Sequence, residues 1–139
     1  MTVFDTDVFV EILLGSARLV GRVATIPEDQ WGVTVVTLEE IMRGRLRAIR
    51  RIEAGKGTGE IVRAYELFQR SLAAFRHLKV LPYTNIADAQ YRSWQKEKVR
   101  VSTHDLRIAA IVVAHSATLV SRNRRDFERI PGLSVDFWN

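Results

Sequence analysis

The stretch that decides the fold is Thr103–Val120, THDLRIAAIVVAHSATLV, in which a long apolar run precedes a short β-branched one. Residues Ile108–Ala114 are apolar on every side, so a helix formed here has no solvent-facing surface and must be covered by a sheet and by neighbouring helices. Thr118–Val120 then has the composition of a strand. A buried helix followed by a strand is a recurring unit of α/β proteins.

The same alternation of strands and helices extends on both sides of this stretch. Short β-branched or aromatic runs predict four further strands, at Val3–Phe4, Trp31–Val36, Val80–Tyr83 and Ser134–Phe137. Strands separated by helices require crossover connections, and these produce a parallel sheet covered on both faces. The sequence therefore predicts a single α/β domain over residues 1–139, with three layers (α/β/α) and a mainly parallel central sheet.

The predicted helices are bounded by capping residues and glycines. They are Asp7–Gly15, Ser16–Pro27, Thr37–Ile52, Ile61–Phe75 and Asn85–Lys98, besides the buried helix that begins near Ser102 or Thr103. In the fourth of these, large apolar residues are spaced by four, three, four and three, at Ile61, Tyr65, Phe68, Leu72 and Phe75. This spacing predicts an amphipathic helix that packs through its apolar stripe.

Composition restricts the classes of function that are open to the chain. Its 139 residues are 47% hydrophobic and 27% charged, which is typical of one globular domain. The chain has no cysteine, which excludes a disulfide framework and a thiolate metal site and suits a reducing cytoplasm. No apolar run approaches the roughly 20 residues that a membrane span needs, and the first residues do not resemble a signal peptide. We therefore expect a cytoplasmic protein with no membrane segment.

Positive charge is concentrated in two segments of the chain. The formal net charge is +5, from 21 Lys and Arg against 16 Asp and Glu. One cluster contains Arg43, Arg45, Arg47, Arg50, Arg51 and Lys56, and the other contains Arg122, Arg124, Arg125 and Arg129. Such clusters favour a polyanionic partner, because each neutralised phosphate releases counterions. A solvated helix face would account equally well for the same charges.

Acidic residues follow the predicted strands. Asp5 and Asp7 come after the first strand, Glu40 lies one turn into the helix after the second, and Asp126 follows Thr118–Val120. Asp105 lies in the first turn of the buried helix. In open parallel sheets the ligand crevice lies beyond the carboxyl ends of the strands. We therefore expect these acids to converge at one edge of the sheet.

Carboxylates gathered in this way require a counter-charge, because like charges a few Å apart raise each other's pKa. A divalent cation supplies that charge. Oxygen ligands without histidine or cysteine favour Mg²⁺ or Mn²⁺ over Zn²⁺, and Mg²⁺ commonly binds a few carboxylates together with a substrate phosphate. His104 and His115 are interpreted as surface or helix-end residues and are given no catalytic role.

Each acid could also have a purely structural role. Thr37 and Glu40 have the spacing of a capping box, in which the glutamate reaches back to the start of its own helix. Asp105 would interact favourably with the dipole of its helix, and Asp126 would pair with a neighbouring arginine. Asp5 is harder to account for in this way, because an acid at the end of a buried strand needs a partner.

Four sequence blocks carry a family resemblance. They are Val3–Asp7 (VFDTD), Val35–Glu40 (VVTLEE), Asp105–Ala110 (DLRIAA) and Ala117–Phe127 (ATLVSRNRRDF), the last followed by Ile130–Leu133 (IPGL). In this order and spacing the chain resembles the PIN-domain ribonucleases, and in particular the VapC toxins of bacterial and archaeal toxin–antitoxin pairs. The resemblance extends over nearly the full length.

The resemblance implies an endoribonuclease that hydrolyses RNA phosphodiester bonds with Mg²⁺ (or Mn²⁺). Its metal site would consist of four acids, namely Asp5, Glu40, Asp105 and Asp126, with Ser121 and Asn123 in support. It further implies a homodimer and a cognate antitoxin protein that covers the active site. The arginines that we expect to contact RNA are Arg43, Arg47, Arg50 and Arg122.

Two positions depart from the family pattern. Asp7 stands where Asn or Ser is usual, which makes the site one carboxylate richer, and Ser102–His104 replaces a Gly-Pro-Asn type of segment. The opening Asp5–Val8 also matches haloacid-dehalogenase-type phosphatases, in which Asp5 would be the nucleophile and Asp7 the general acid. The remaining alternatives are a PIN nuclease that is not a toxin and a binding module with a degenerate site.

Overall fold

A five-stranded parallel sheet forms the centre of the protein. The computed structural model describes residues 1–139. Its strands are β1 (Thr2–Phe4), β2 (Trp31–Thr34), β3 (Val80–Leu81), β4 (Thr118–Ser121) and β5 (Val135–Phe137). They lie in the order β3-β2-β1-β4-β5, and every neighbouring pair is parallel. The predicted α/β class is confirmed, and the sheet is parallel throughout.

Seven α-helices connect and cover the strands. They are α1 (Thr6–Leu13), α2 (Ala17–Val23), α3 (Val35–Glu53), α4 (Ile61–Phe75), α5 (Asn85–Lys96), α6 (Thr103–Ala114) and α7 (Arg124–Phe127), with a 3₁₀ turn at Glu28–Gln30. Gly15 has a φ of 74° and ends α1 in the left-handed conformation that glycine adopts without strain. None of the helices is both long enough and apolar enough to span a bilayer.

Two hydrophobic cores lie on opposite faces of the sheet. Neighbouring residues of one strand belong to different cores, because successive side chains of a strand point to opposite faces. Val3 and Leu119 pack in the larger core, whereas Phe4 and Val120 pack in the smaller one. Residues Ile108–Val112 of α6 are all buried in the larger core, as the sequence predicted for this helix. The helices thus form a layer on each face.

The boundary between β2 and α3 differs from the prediction. The strand ends at Thr34, and the helix begins at Val35 rather than Thr37. The Thr34 hydroxyl accepts a hydrogen bond from the Thr37 N–H at 3.2 Å, so Thr34 is the N-cap and the predicted capping box is wrong. In the same way Thr84, not Asn85, caps α5. β-branched residues extend the strand pattern into the first helical turn, which hides the boundary in the sequence.

The apolar stripe predicted for α4 is mostly exposed. Tyr65 and Leu72 keep 53% and 52% of their surface accessible, and Ile61 is also exposed. The buried positions of α4 are Ala64, Ser71 and Phe75. Ser71 accepts a hydrogen bond from Arg45 Nε of α3 at 2.9 Å. Ala64 and Ser71 are small residues, which allow the two helices to approach closely, while Ile61, Tyr65 and Leu72 remain exposed.

Candidate active site

The carboxyl edge of the sheet collects residues from distant parts of the chain. Asp5 directly follows β1, Ser121 is the last residue of β4, and Glu40 lies in the second turn of the helix after β2. Helix α6 runs back across the sheet before β4, so its N-terminus, with Asp105, lies at the same edge. The parallel topology therefore brings Asp5, Glu40 and Asp105 to one edge of the sheet.

A wholly polar cleft of about 400 Å³ opens at this edge. It is lined by Asp5, Thr6, Asp7, Glu40, Ser102, Thr103, His104, Asp105 and Asn123. Three of the four predicted metal ligands thus line one cleft, together with Asp7. The fourth, Asp126, does not line the cleft. Its Oδ2 accepts a hydrogen bond at 2.9 Å from the side-chain amide of Asn123, and Asn123 does line the cleft.

Asp5 is buried, with 6% of its surface exposed, and both of its carboxylate oxygens are hydrogen-bonded. Oδ1 accepts from the Val8 N–H at 3.0 Å, which makes Asp5 the N-cap of α1, and Oδ2 accepts from the Ser121 hydroxyl. Burial raises the pKa of Asp5, the two hydrogen bonds oppose the rise, and the negative charges of Asp7 and Glu40 add to it.

The pKa of Asp105 is raised in part by the negative charges of the other acids. Its N–H donates to the hydroxyl of the α6 N-cap residue, Ser102, at 3.3 Å. Burial raises the pKa of Asp105 to about 6, and repulsion from Glu40, Asp5 and Asp126 contributes to that value. The four predicted acids are therefore close enough to act on one another electrostatically, which is the condition that a bound cation relieves.

Glu40 is held by Thr6, a residue for which the sequence predicted no role in the site. The Thr6 hydroxyl donates to Glu40 Oε1 at 2.7 Å, and the hydroxyl oxygens of Thr6 and Thr37 lie 3.0 Å apart. Glu40 is thus linked to α1 rather than to the start of its own helix. The only signal for Thr6 was its position between two acids, because a threonine at the start of a helix normally indicates a cap.

His104 lies in the cleft, although the sequence analysis gave it no role there. Its Nε2 is 3.4 Å from Glu39 Oε1, and its Nδ1 is 3.8 Å from Glu40 Oε2. The ring thus stands between the acidic cleft and the neighbouring surface of α3. Its place beside Asp105 in the sequence was the available signal.

Ser121 and Asn123, to which the resemblance gives a supporting role, are hydrogen-bonded to two of the acids. The Asn123 backbone N–H donates to Ser121 Oγ at 3.0 Å, and Ser121 in turn donates to Asp5. The Asn123 side chain caps α7, accepting from the Asp126 N–H at 3.3 Å. This chain of hydrogen bonds fixes Asp5 and Asp126 relative to the end of β4.

The arginines proposed for RNA contact fall into different environments. Arg43 pairs with Glu39 at 2.9 Å, and Arg122 contacts Glu11. Arg47 and Arg50 are exposed on α3 and have no acidic side chain within 4.0 Å. Only the last two are therefore free of an internal counter-charge.

The donor set of the cleft fits a hard divalent cation. No three acidic or histidine side chains lie close enough together to hold one ion directly. Mg²⁺ retains several waters and commonly binds only one or two carboxylates directly. Widely spaced oxygen donors therefore suit Mg²⁺ better than Zn²⁺, which needs several protein ligands close together. The absence of cysteine and the dominance of carboxylates point to the same class of ion.

The sequence matches the PIN domain family over residues 2–133. This chain belongs to the PIN-domain family. The match includes the four acids that line the cleft, Asp5, Asp7, Glu40 and Asp105, and also includes Asp126.

Relatives of this PIN domain are named as ribonucleases. It is 29% identical to "Ribonuclease VapC1" of Rickettsia felis over 118 residues, which cover 83% of this chain and 84% of the relative. It is 27% identical to "Ribonuclease VapC" of Rickettsia bellii over 133 residues, which cover 96% and 92% of the two chains.

The fold also matches solved structures. The structure of VapBC2 from Rickettsia felis, bound to a DNA fragment from its promoter, matches this PIN domain with a TM-score of 0.75 and 18% identity. The match covers 99% of this chain and 98% of that chain. At this identity the comparison establishes the shared fold.

Proposed function

We propose that this PIN domain is a divalent-cation-dependent endoribonuclease and acts as the toxin of a type II toxin–antitoxin pair. One observation carries the proposal. Acids from separate segments meet at a single polar cleft, where Asp105 has a pKa raised to about 6 by burial and by the neighbouring acids. Relatives of the chain named as ribonucleases support the same activity.

In this proposal Asp5, Glu40, Asp105 and Asp126 hold Mg²⁺ or Mn²⁺, partly through water. When bound, the cation supplies positive charge to the scissile phosphate and lowers the pKa of a water molecule. The chain itself orients the donors. Ser121 holds Asp5, Thr6 holds Glu40 and Asn123 holds Asp126 through the hydrogen bonds described above.

The partners follow from charge and from the solved relatives. The net charge of +5 and the unpaired arginines of α3 suit RNA as the polyanionic substrate. The structure from Rickettsia felis that shares this fold is that of VapBC2, and we propose a corresponding antitoxin for this chain. We also propose a homodimer and a cytoplasmic location, where RNA and an antitoxin are both present.

The nuclease proposal is tested with the purified chain, a structured RNA and Mg²⁺ or Mn²⁺. We expect cleavage that is abolished by EDTA and reduced at least 100-fold by Asp105→Asn. Asp29→Asn is the matched control, because Asp29 is exposed on the 3₁₀ turn and lies outside the cleft. Cleavage that survives both chelation and Asp105→Asn would exclude a metal nuclease at this cleft.

The phosphatase alternative predicts a different response at Glu40. A nuclease should lose metal binding and activity with Glu40→Ala, because the Glu40 carboxylate lines the cleft and acts on the pKa values of Asp5 and Asp105. A phosphatase with Asp5 as nucleophile would be little affected. Phosphate release from a monoester that persists in the Glu40→Ala variant would favour the phosphatase.

The toxin role is tested separately from the nuclease activity. Induced expression without an antitoxin should stop growth for the wild-type chain and not for Asp105→Asn at equal protein levels. If growth is unaffected while RNA is cleaved in the purified system, the chain is a PIN nuclease that does not act as a toxin.

A further inference from the structure

Two depressions continue from the acidic cleft along the outer surface of α3. The first is a passage of about 240 Å³ lined by Glu40, Arg43, Gly44, Arg47 and His104. It shares Glu40 and His104 with the cleft. The second is a groove of about 760 Å³ that shares Arg43 and Arg47 with the passage and extends to Lys56. Because neighbouring depressions share their lining, they form one continuous surface, which we call the α3 path.

The α3 path carries a regular row of cations beside the apolar residues Met42, Leu46 and Ala54. Residues four apart on a helix are neighbours at roughly 5–6 Å between Cβ atoms, so Arg43, Arg47 and Arg51 follow one another along the same face. Arg50 and Lys56 extend the row. Apart from Arg43, none of these cations has a carboxylate within 4.0 Å. A row of like charges without internal partners is suited to an external polyanion.

Gly44 keeps the passage open. It lies in the middle of α3, where glycine is disfavoured relative to alanine, and it is exposed. A Cβ at this position would meet no atom within 4 Å, so the core does not require glycine here. Gly44 lines the passage between the cleft and the groove, so its missing side chain leaves free space there.

We propose that a single strand of RNA passes from the acidic cleft through the passage at Gly44 and lies along the α3 path, with its phosphates on Arg47, Arg50 and Arg51. This inference rests on the proposed nuclease function. Asp5 is 6% exposed in a cleft of about 400 Å³, which has room for part of a single strand but not for a duplex. From Glu40 to Glu53 the helix is about 20 Å long, which gives room for several nucleotides.

Binding measurements at several salt concentrations test the proposal. The probe is fluorescein-labelled oligouridylate, which forms no duplex, and every protein carries Asp105→Asn to prevent cleavage. The double variant Arg47→Gln, Arg50→Gln should bind more weakly. The slope of log K against log salt should fall by about 1.4, since each phosphate contact on a single strand contributes roughly 0.7.

The control is a double variant with the same loss of charge, Arg70→Gln, Arg76→Gln. Arg70 and Arg76 are exposed cations at α4 that do not line the path and have no acidic partner. The control should keep the wild-type slope. Equal slopes for the two double variants would overturn the proposal, because the effect would then come from net charge alone.

A substitution at Glu39 should change RNA affinity in the opposite direction. Its carboxylate lines the groove, pairs with Arg43 and lies near His104. Glu39→Gln removes a negative charge from the path and frees Arg43 for phosphate. We expect tighter oligouridylate binding and a steeper salt dependence, whereas weaker binding would contradict an RNA path at this surface.

Cleavage of RNA by Gly44 variants tests whether the passage connects the two surfaces. Gly44→Gln places an uncharged side chain in the passage, while Gly44→Ala adds only one carbon. Both substitutions favour the helix, so neither should lower the thermal unfolding midpoint. We expect Gly44→Gln to raise KM for oligouridylate at least tenfold and Gly44→Ala to leave it within threefold. Identical KM values would overturn the proposed route.

Two further outcomes distinguish failure of the RNA path from failure of the nuclease function. If the wild-type chain cleaves no RNA with Mg²⁺ or Mn²⁺, the nuclease function fails, and the path fails with it. The second outcome is that the wild-type chain cleaves RNA, while the Arg47, Arg50 variant keeps the wild-type salt slope but no longer self-associates in sedimentation. This face would then bind a second copy of the chain, and only the RNA path would be overturned.

Discussion

At the residue scale, the negatively charged acids of the cleft repel one another in the folded chain. Asp105 has a pKa of about 6, and the pKa of Asp5 is also raised, in both cases chiefly by burial. A raised carboxyl pKa means that folding disfavours the ionised form, so the charged site destabilises the metal-free protein at neutral pH. A site that costs stability and lies in a polar cleft is typical of a functional centre.

The pH dependence of stability follows from the Asp105 pKa. Between about pH 4 and pH 6 the folded chain holds a proton on Asp105 that the unfolded chain releases. The free energy of unfolding should therefore fall as pH rises through this range, by about 1–2 kcal/mol after allowance for solvent screening. Urea denaturation in EDTA would measure it. Asp105→Asn should be more stable than wild type above pH 6 and equal to it below pH 4, and a constant difference would contradict the assignment.

Ser121 should matter through Asp5. Its buried hydroxyl donates to Asp5 Oδ2, so Ser121→Ala leaves that oxygen without this donor and raises the Asp5 pKa further. We expect a loss of about 1–3 kcal/mol in stability at neutral pH and a lower affinity for Mn²⁺ by calorimetry. Ser93→Ala, at an exposed position of α5, is the control. Unchanged Mn²⁺ affinity in Ser121→Ala would show that Ser121 does not position the site.

At the element scale, α4 shows why spacing does not identify the packed face of a helix. Apolar residues at helical intervals predicted that Tyr65 and Leu72 would be buried, but the buried positions are Ala64, Ser71 and Phe75, and Ser71 is hydrogen-bonded to Arg45 of α3. The hydrophobic stripe and the buried face overlap only in part, with Phe75 in both. Which side of an amphipathic helix contacts a neighbour depends on how closely the two backbones approach.

Two substitutions on α4 distinguish the packed face from the exposed one. Phe75 is 8% exposed and packs against Phe9, with ring centroids 5.7 Å apart. Phe75→Ala should lower the free energy of unfolding by about 3–5 kcal/mol. Leu72→Ala should lower it by less than about 1 kcal/mol, because half of the Leu72 side chain is already in water. Similar losses in chemical denaturation would mean that the Leu72 side of α4 is packed in solution.

At the scale of the whole molecule, cation binding and folding should be coupled. The acids meet only when β1, β4, α3 and α6 are in place, so the unfolded chain lacks the site. A ligand that binds only the folded state stabilises it, by about 2.7 kcal/mol at 100 times its Kd.

Thermal unfolding at neutral pH tests this coupling. We expect Mn²⁺ to raise the Tm of the wild-type chain in a concentration-dependent manner and to have a much smaller effect on Asp105→Asn. The Asp29→Asn control should respond as the wild type does. A shift of equal size in all three proteins would indicate non-specific ion binding rather than occupation of the cleft.

The sequence by itself determined the order of strands and helices, the burial of α6 and the set of acids that lie near the carboxyl edge. It could do so because strand and helix periodicities are local, and because parallel strands place all their carboxyl ends at one edge. Asp5, Glu40 and Asp105 were therefore predictable from position alone, and all three line the cleft.

Only the tertiary structure decided which residues complete the site. The bond from Thr6 to Glu40 joins residues 34 positions apart, and that from Ser121 to Asp5 joins residues 116 apart. The place of His104 between the cleft and α3 likewise depends on how α3 and α6 pack. Such contacts arise from the packing of whole elements, and no local pattern of residues encodes them.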